Sequence, residues 1–153
     1  MPYPKGIKVV AQNRAAYHEY FVEERLECGI ELFGTEVKSM RLGRLNLKDS
    51  WAHVLRGEVW VEGMHISPYE QGNVFNRDPL RPKRLLLHKS EIRKLAAMVS
   101  RQGFTLIPLE VYLKDGRMKL QLGVCRGKAV HDKRATAAKR DADLQIRRAM
   151  RQR

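Results

Sequence analysis

The stretch 104–127, FTLIPLEVYLKDGRMKLQLGVCRG, constrains the fold most, because two alternating apolar runs meet at Asp115-Gly116. Asp-Gly suits a two-residue hairpin, in which both central residues take positive φ and Gly does so without steric cost. Such a turn sets the register of its two arms, and a buried face resists a slip of one residue. Parity then turns Leu109, Val111 and Leu113 inward together with Leu120, Leu122 and Val124 of the return strand. Pro108 has no N–H to donate and belongs at an edge or a break.

A second hairpin reads from LNLKDSWAHVLRGEVWVEGMHISPYE, turning at Arg56-Gly57. Trp51, His53 and Leu55 share one parity and Ala52 and Val54 the other, so either set can face the core. Upstream, Asn13 can cap a short helical turn over residues 14–16. From Tyr17 through Tyr20, Phe21, Val22, Leu26, Ile30 and Leu32 a long strand is expected, bent or bulged at Gly29. Thr35 is placed to cap a short helix that buries Val37 and Met40, shows Lys38, Arg41 and Arg44 to solvent, and stops at Gly43. Residues 71–82 read as a loop. Arg81, Lys83 and Arg84 then put cations at the mouth of a strand over Leu85–Leu87. Ser90 opens a helix with Ile92, Leu95, Ala96 and Val99 on one face and Gly103 as its stop.

About six strands, three short helices and few strand–helix–strand alternations predict a mainly β, antiparallel barrel, closed or nearly so. A length of 153 residues fits one such domain, over residues 1–126, and a tail over 127–153. The tail has nine Lys/Arg against three Asp and supplies +6 of the net +13, leaving +7 on the body. Without aromatic residues it cannot bury enough apolar surface to offset the entropy of ordering, so it is expected to be disordered when free. At 100° per residue, however, Ala135, Ala138, Ala142, Ile146 and Ala149 share a narrow face opposite Lys133, Arg140, Arg147 and Arg151. That pattern describes a latent helix that would form against a polyanion. The alternative is a solvated tail that only aids solubility.

A basic body with a basic tail points to nucleic acid rather than membrane, since the tail's apolar stripe is mostly Ala. No apolar run of membrane-spanning length and no signal-peptide core follow Met1, which predicts a cytoplasmic protein. Cys28 and Cys125 stand alone and are expected to be buried thiols. The five His are scattered without metal-ligand spacing, and neither phosphate-loop pattern occurs. The expectation is no metal, no cofactor and no catalysis.

Five blocks in register, NRAAYHEYFVEE, GTEVKSMRLGRLNLKDSW, GMHISPY, NRDPLRPKRLLLHKSEI and GKAVHDKRATAAKRD, resemble the SmpB family of bacterial SsrA-binding proteins. The resemblance implies an OB-like six-stranded barrel that binds the tRNA-like domain of tmRNA and delivers it to stalled 70S ribosomes for trans-translation. It carries the barrel's RNA contacts to Asn13, Arg14, Glu27, Leu86 and Lys119. It carries the ribosomal contacts to Gly127, Lys128, His131, Asp132, Lys133, Arg134, Lys139 and Arg140, with the tail helical in the empty decoding centre and mRNA channel. A monomer is expected. One departure is Ala129, where family members usually place a second Lys after Gly-Lys.

Overall fold

Asp115 and Gly116 hold φ of 50° and 80°, and Arg56 and Gly57 hold 53° and 77°. Both pairs thus form the two-residue turns whose twist matches the strands they join. The computed structural model describes residues 6–128, apart from the side chains of Asn73 and Val74. It begins with β1 (Ile7–Gln12), α1 (Arg14–Glu19), β2 (Tyr20–Ile30) and α2 (Gly34–Arg41). Then come β3 (Leu45–Asn46), β4 (Trp51–Leu55), β5 (Glu58–Glu62), β6 (His65–Ile66) and a 3-10 turn (Glu70–Phe75). The chain continues through β7 (Lys83–Leu86), α3 (Lys89–Gln102), β8 (Thr105–Lys114) and β9 (Arg117–Gly127).

Neighbour pairing runs β8-β4-β5-β7-β2-β9 and returns to β8, so six antiparallel strands close into a ring. β1 lies outside the ring on the second half of β8, whose first half meets β4 at Ala52↔Leu106. β3 and β6 form a separate two-stranded ribbon. Val59, Val61, Leu85, Val111, Leu120, Leu122 and Val124 fill the barrel. α3 adds Ile92, Leu95 and Met98, one helical stripe, to the same cluster. The parity left open in the second hairpin is settled by Ala52, Val59 and Val61, which are buried while Trp51 and Leu55 are exposed.

Several expectations are corrected. Leu109 does not face the barrel interior: the register shifts between Pro108 and Glu110, so Leu109 joins Ala16, Ile107 and Cys125 in a second cluster. A bulge opposes two residues to one and reverses parity beyond it, and Pro108, with no N–H, stands where the ladder breaks. A Cβ at Gly123 would lie 2.8 Å from Leu109 Cδ1, so glycine makes room for that bulged leucine. In β2 the irregularity falls between Val22 and Glu24, and Gly29 pairs regularly. Tyr17 belongs to α1, because the Asn13 cap starts six helical residues rather than three. The caps of α2 and α3 are Phe33 and His88 rather than Thr35 and Ser90. Their N–H groups donate to Glu36 and Glu91, each at the third helical position, at 2.8 and 2.9 Å. The loop 71–82 begins inside the 3-10 turn Glu70–Phe75.

Lys83 is the largest correction. It is 0% exposed, and its Nζ donates to Met64 O at 2.6 Å and Pro79 O at 3.1 Å. Only Arg81 and Arg84 of that basic run reach the surface; Arg81 also pairs inward with buried Glu36, and Arg84 pairs with exposed Glu31. Burial also pushes the Cys28 thiol up to about 12 and the Cys125 thiol up to about 11, as expected of enclosed cysteines.

Candidate nucleic-acid interface

The DG turn fixes Lys119 opposite Tyr112, and the ring carries that row onward: Lys119 lies opposite Gly29, and Gly29 opposite Leu86. Four adjacent strands thus set Leu86, Gly29, Lys119 and Tyr112 side by side, with the residues flanking Leu86, Gly29 and Lys119 that turn inward held in the core. Glu27 is two residues before Gly29 and so shares its face. Glu27, Leu86 and Lys119 line one open depression of 390 Å³ with Gly29, Leu87, His88 and Glu91. A Cβ on Gly29 would meet Leu86 Cβ at 3.2 Å, so the bare backbone there is the bed on which Leu86 lies. Leu86 remains 46% exposed although it sits in a strand of the barrel wall.

The Glu27 carboxylate accepts a short 2.5 Å hydrogen bond from the Tyr112 hydroxyl and faces Lys114 Nζ at 3.4 Å. That phenol hydrogen bond, then Lys114, and the field of Lys119 hold its carboxyl below the usual carboxylate value. Burial and the same carboxylate push the Tyr112 phenol up. Glu27 is therefore a fixed anionic acceptor between two cations. It suits the exocyclic amines of bases and ribose hydroxyls, to which a lysine could offer no acceptor.

Asn13 and Arg14 are not part of this depression. Asn13 is buried: its Oδ1 accepts from Ala16 N at 3.3 Å and its Nδ2 donates to Pro108 O at 2.9 Å. Its side chain is engaged inside the protein, capping α1 and tying it to β8. Arg14 is exposed beside Gln12, Tyr17 and Glu110. An Asn13→Ala protein is expected to lose about 1–2 kcal/mol of stability, measured by denaturant unfolding. An Asn13→Asp protein keeps the cap acceptor but sets a buried carboxylate oxygen against Pro108 O, and is expected to lose at least as much.

Gly127 closes β9 opposite Tyr20. Lys128 Nζ donates to Tyr17 O at 3.1 Å and stands 5.2 Å from the Phe21 ring centroid, beside Arg126 at 5.8 Å. His131, Asp132, Lys133, Arg134, Lys139 and Arg140 lie outside the described residues. Tyr112, Lys114 and Gly29 were not among the expected contacts. Tyr112 and Lys114 could have been found by counting back from Asp115-Gly116, which sets 112 against 119 and 114 against 117.

Among the described residues no helix is long and apolar enough to cross a membrane, and no group of three His, Cys, Asp or Glu converges. The family model for SmpB protein matches residues 10–152. An SsrA-binding protein of Caldicellulosiruptor saccharolyticus is 61% identical over 146 residues, covering 95% of this chain and 92% of its own. Another from Clostridium novyi is 60% identical over 151 residues, with 96% of each chain covered. A solved chain from "tmRNA-SmpB: a journey to the center of the bacterial ribosome" is 45% identical, with a TM-score of 0.65 over 77% of this chain and 83% of that one.

Proposed function

The chain belongs to the SmpB family, and from that premise we propose that it is an RNA-binding adaptor that holds the tRNA-like domain of tmRNA and delivers it to stalled 70S ribosomes for trans-translation. The observation that carries this reading is the row Leu86, Gly29, Lys119 with Glu27 beside it, an apolar contact, an anion and a cation fixed on one rigid wall. Folded RNA is recognised chiefly by shape, and such a wall adds local selectivity. Lys119 meets phosphate, Glu27 accepts from base or ribose donors, and exposed Leu86 packs on an unstacked base. Asn13 acts through α1, whose first residue is Arg14, so its part is to position rather than to touch.

The protein works without catalysis, metal or cofactor, as a cytoplasmic monomer. Its tail, 127–153, serves on the ribosome, where Gly127, Lys128 and the segment from His131 to Arg134 meet the rRNA of the decoding centre, and Lys139 and Arg140 follow the empty mRNA channel. The basic face of the latent helix is matched to an rRNA-lined tunnel.

Glu27→Ala, Leu86→Ala and Lys119→Ala proteins are each expected to bind a transcribed tRNA-like domain about ten-fold more weakly by fluorescence anisotropy; Leu86→Ala and Lys119→Ala should unfold as the parent does, and Glu27→Ala should lose some stability with its Tyr112 hydrogen bond. Undiminished affinity in all three would remove this wall from the interface.

A further inference from the structure

A second surface shares no residue with the depression around Glu27. Phe75 is 72% exposed and Phe33 42%, and both line a hollow of 330 Å³ together with Tyr69, Thr35, Lys38 and Arg77. Single exposed aromatics are ordinary, but two in one concavity among cations are not. The Arg77 guanidinium lies 3.9 Å from the Phe33 ring centroid and Lys38 Nζ 5.5 Å from that of Tyr69. Neither cation has a carboxylate partner among the described residues. By contrast, Arg81, also over Phe33 at 4.8 Å, is neutralised by Glu36 at 2.7 Å.

The loop that presents Phe75 is held in place. Asn76 closes it with paired bonds to Tyr69, each 2.8 Å, and Thr35 Oγ1 donates to Phe75 O at 3.3 Å. Gly72 packs so closely on Thr35 that a Cβ would meet its methyl at 2.8 Å. Exposed rings on a pinned loop, with unneutralised cations at the rim, form a stacking platform whose charge matches phosphate.

We infer that Phe75, Phe33 and Tyr69, with Lys38 and Arg77, form a second RNA site that takes unpaired nucleotides: bases stack on the rings and on the Arg77 guanidinium plane, and phosphates meet the two cations. This rests on the RNA-binding reading above and adds to it a site for single-stranded rather than folded RNA.

The test uses the full chain and a fluorescent ten-nucleotide oligouridylate, plain for anisotropy and 5-iodouridine-substituted for photocrosslinking. The parent is expected to crosslink at Phe75, Phe33 or Tyr69, identified by peptide mass. Phe75→Ala and the double variant Lys38→Ala/Arg77→Ala are each expected to bind about ten-fold more weakly, and Phe75→Trp as tightly as the parent. Crosslinks confined to the basic tail, with Phe75→Ala binding as the parent does, would overturn the inference. So would failure of the parent to bind the oligonucleotide at all. Failure of the adaptor reading shows separately, as a parent protein that does not bind the tRNA-like domain in the same buffer.

Discussion

A Lys83→Ala protein is expected to unfold with about 3 kcal/mol less free energy than its parent. The side chain is 0% exposed, and among the described residues Met64 O receives its hydrogen bond from Lys83 Nζ alone. Pro79 O keeps a second donor, Ile66 N at 3.0 Å. Truncation therefore orphans one buried carbonyl and leaves a cavity the length of the lysine stem. Relief from burying an ammonium offsets part of this loss. Lys83→Met, which refills the volume without a donor, is expected to lose less than Lys83→Ala; denaturant unfolding of the three proteins measures both differences. A dependence on pH should accompany them. Burial lowers the Lys83 amine to about 8, below the ordinary lysine value of about 10.4. Between those values the unfolded chain holds the proton that the folded one has released, so the lysine's contribution to stability rises with pH across that window and is flat below it. The Lys83→Met protein should lack that rise.

Ending the chain after Lys128 is expected to preserve binding of the tRNA-like domain and to abolish peptide tagging of stalled nascent chains. The cut keeps the described end of the barrel: the pairing of Gly127 with Tyr20 and the Lys128 contact to Tyr17 O are both retained. What goes is a segment whose sequence places cations on one helical face, from Lys133 to Arg151. Removing so much charge weakens indiscriminate attraction to any polyanion, so affinities should be compared at moderately high salt, where that part is screened. Filter binding and a tagging reaction on ribosomes stalled at the end of a message give the two readouts. Loss of RNA binding in the shortened protein would show that barrel and tail do not divide their roles as proposed.

Much of the fold was legible because turn chemistry is local. Asp115-Gly116 and Arg56-Gly57 each set a register without reference to the rest of the chain, and alternation pointed to the buried side in the first hairpin but left both sides open in the second. The pairing of β2 with β7 was not legible, since nothing near Gly29 or Leu86 names its partner across that distance. Leu109 was misplaced because a bulge changes parity without changing composition. Lys83 was misread for a similar reason: a lysine beside Arg81 and Arg84 looks like one more surface charge, and the carbonyls of Met64 and Pro79 that make its burial tenable come together only in the fold. The functional wall was less legible than the fold. Positions 27, 86 and 119 came from the likeness of whole blocks to one family, and their adjacency emerges only from the register of three strands. The capping role of Asn13, read from its place before a helix, stands on its own residues.

Closure of the six-stranded ring also bears on where a second copy of the protein could add a strand. Each ring strand has a neighbour on either side, although β2 meets β7 only at Gly29 and Ile30 and β4 meets β8 only at Ala52, and in the main sheet β1 alone is an end strand among the described residues. That strand is six residues long and carries Lys8, and its ladder is broken between Val9 and Ala11. A short, kinked, charged margin is a poor template for strand addition by another molecule. The β1 margin thus offers little backbone to lateral stacking by a second copy.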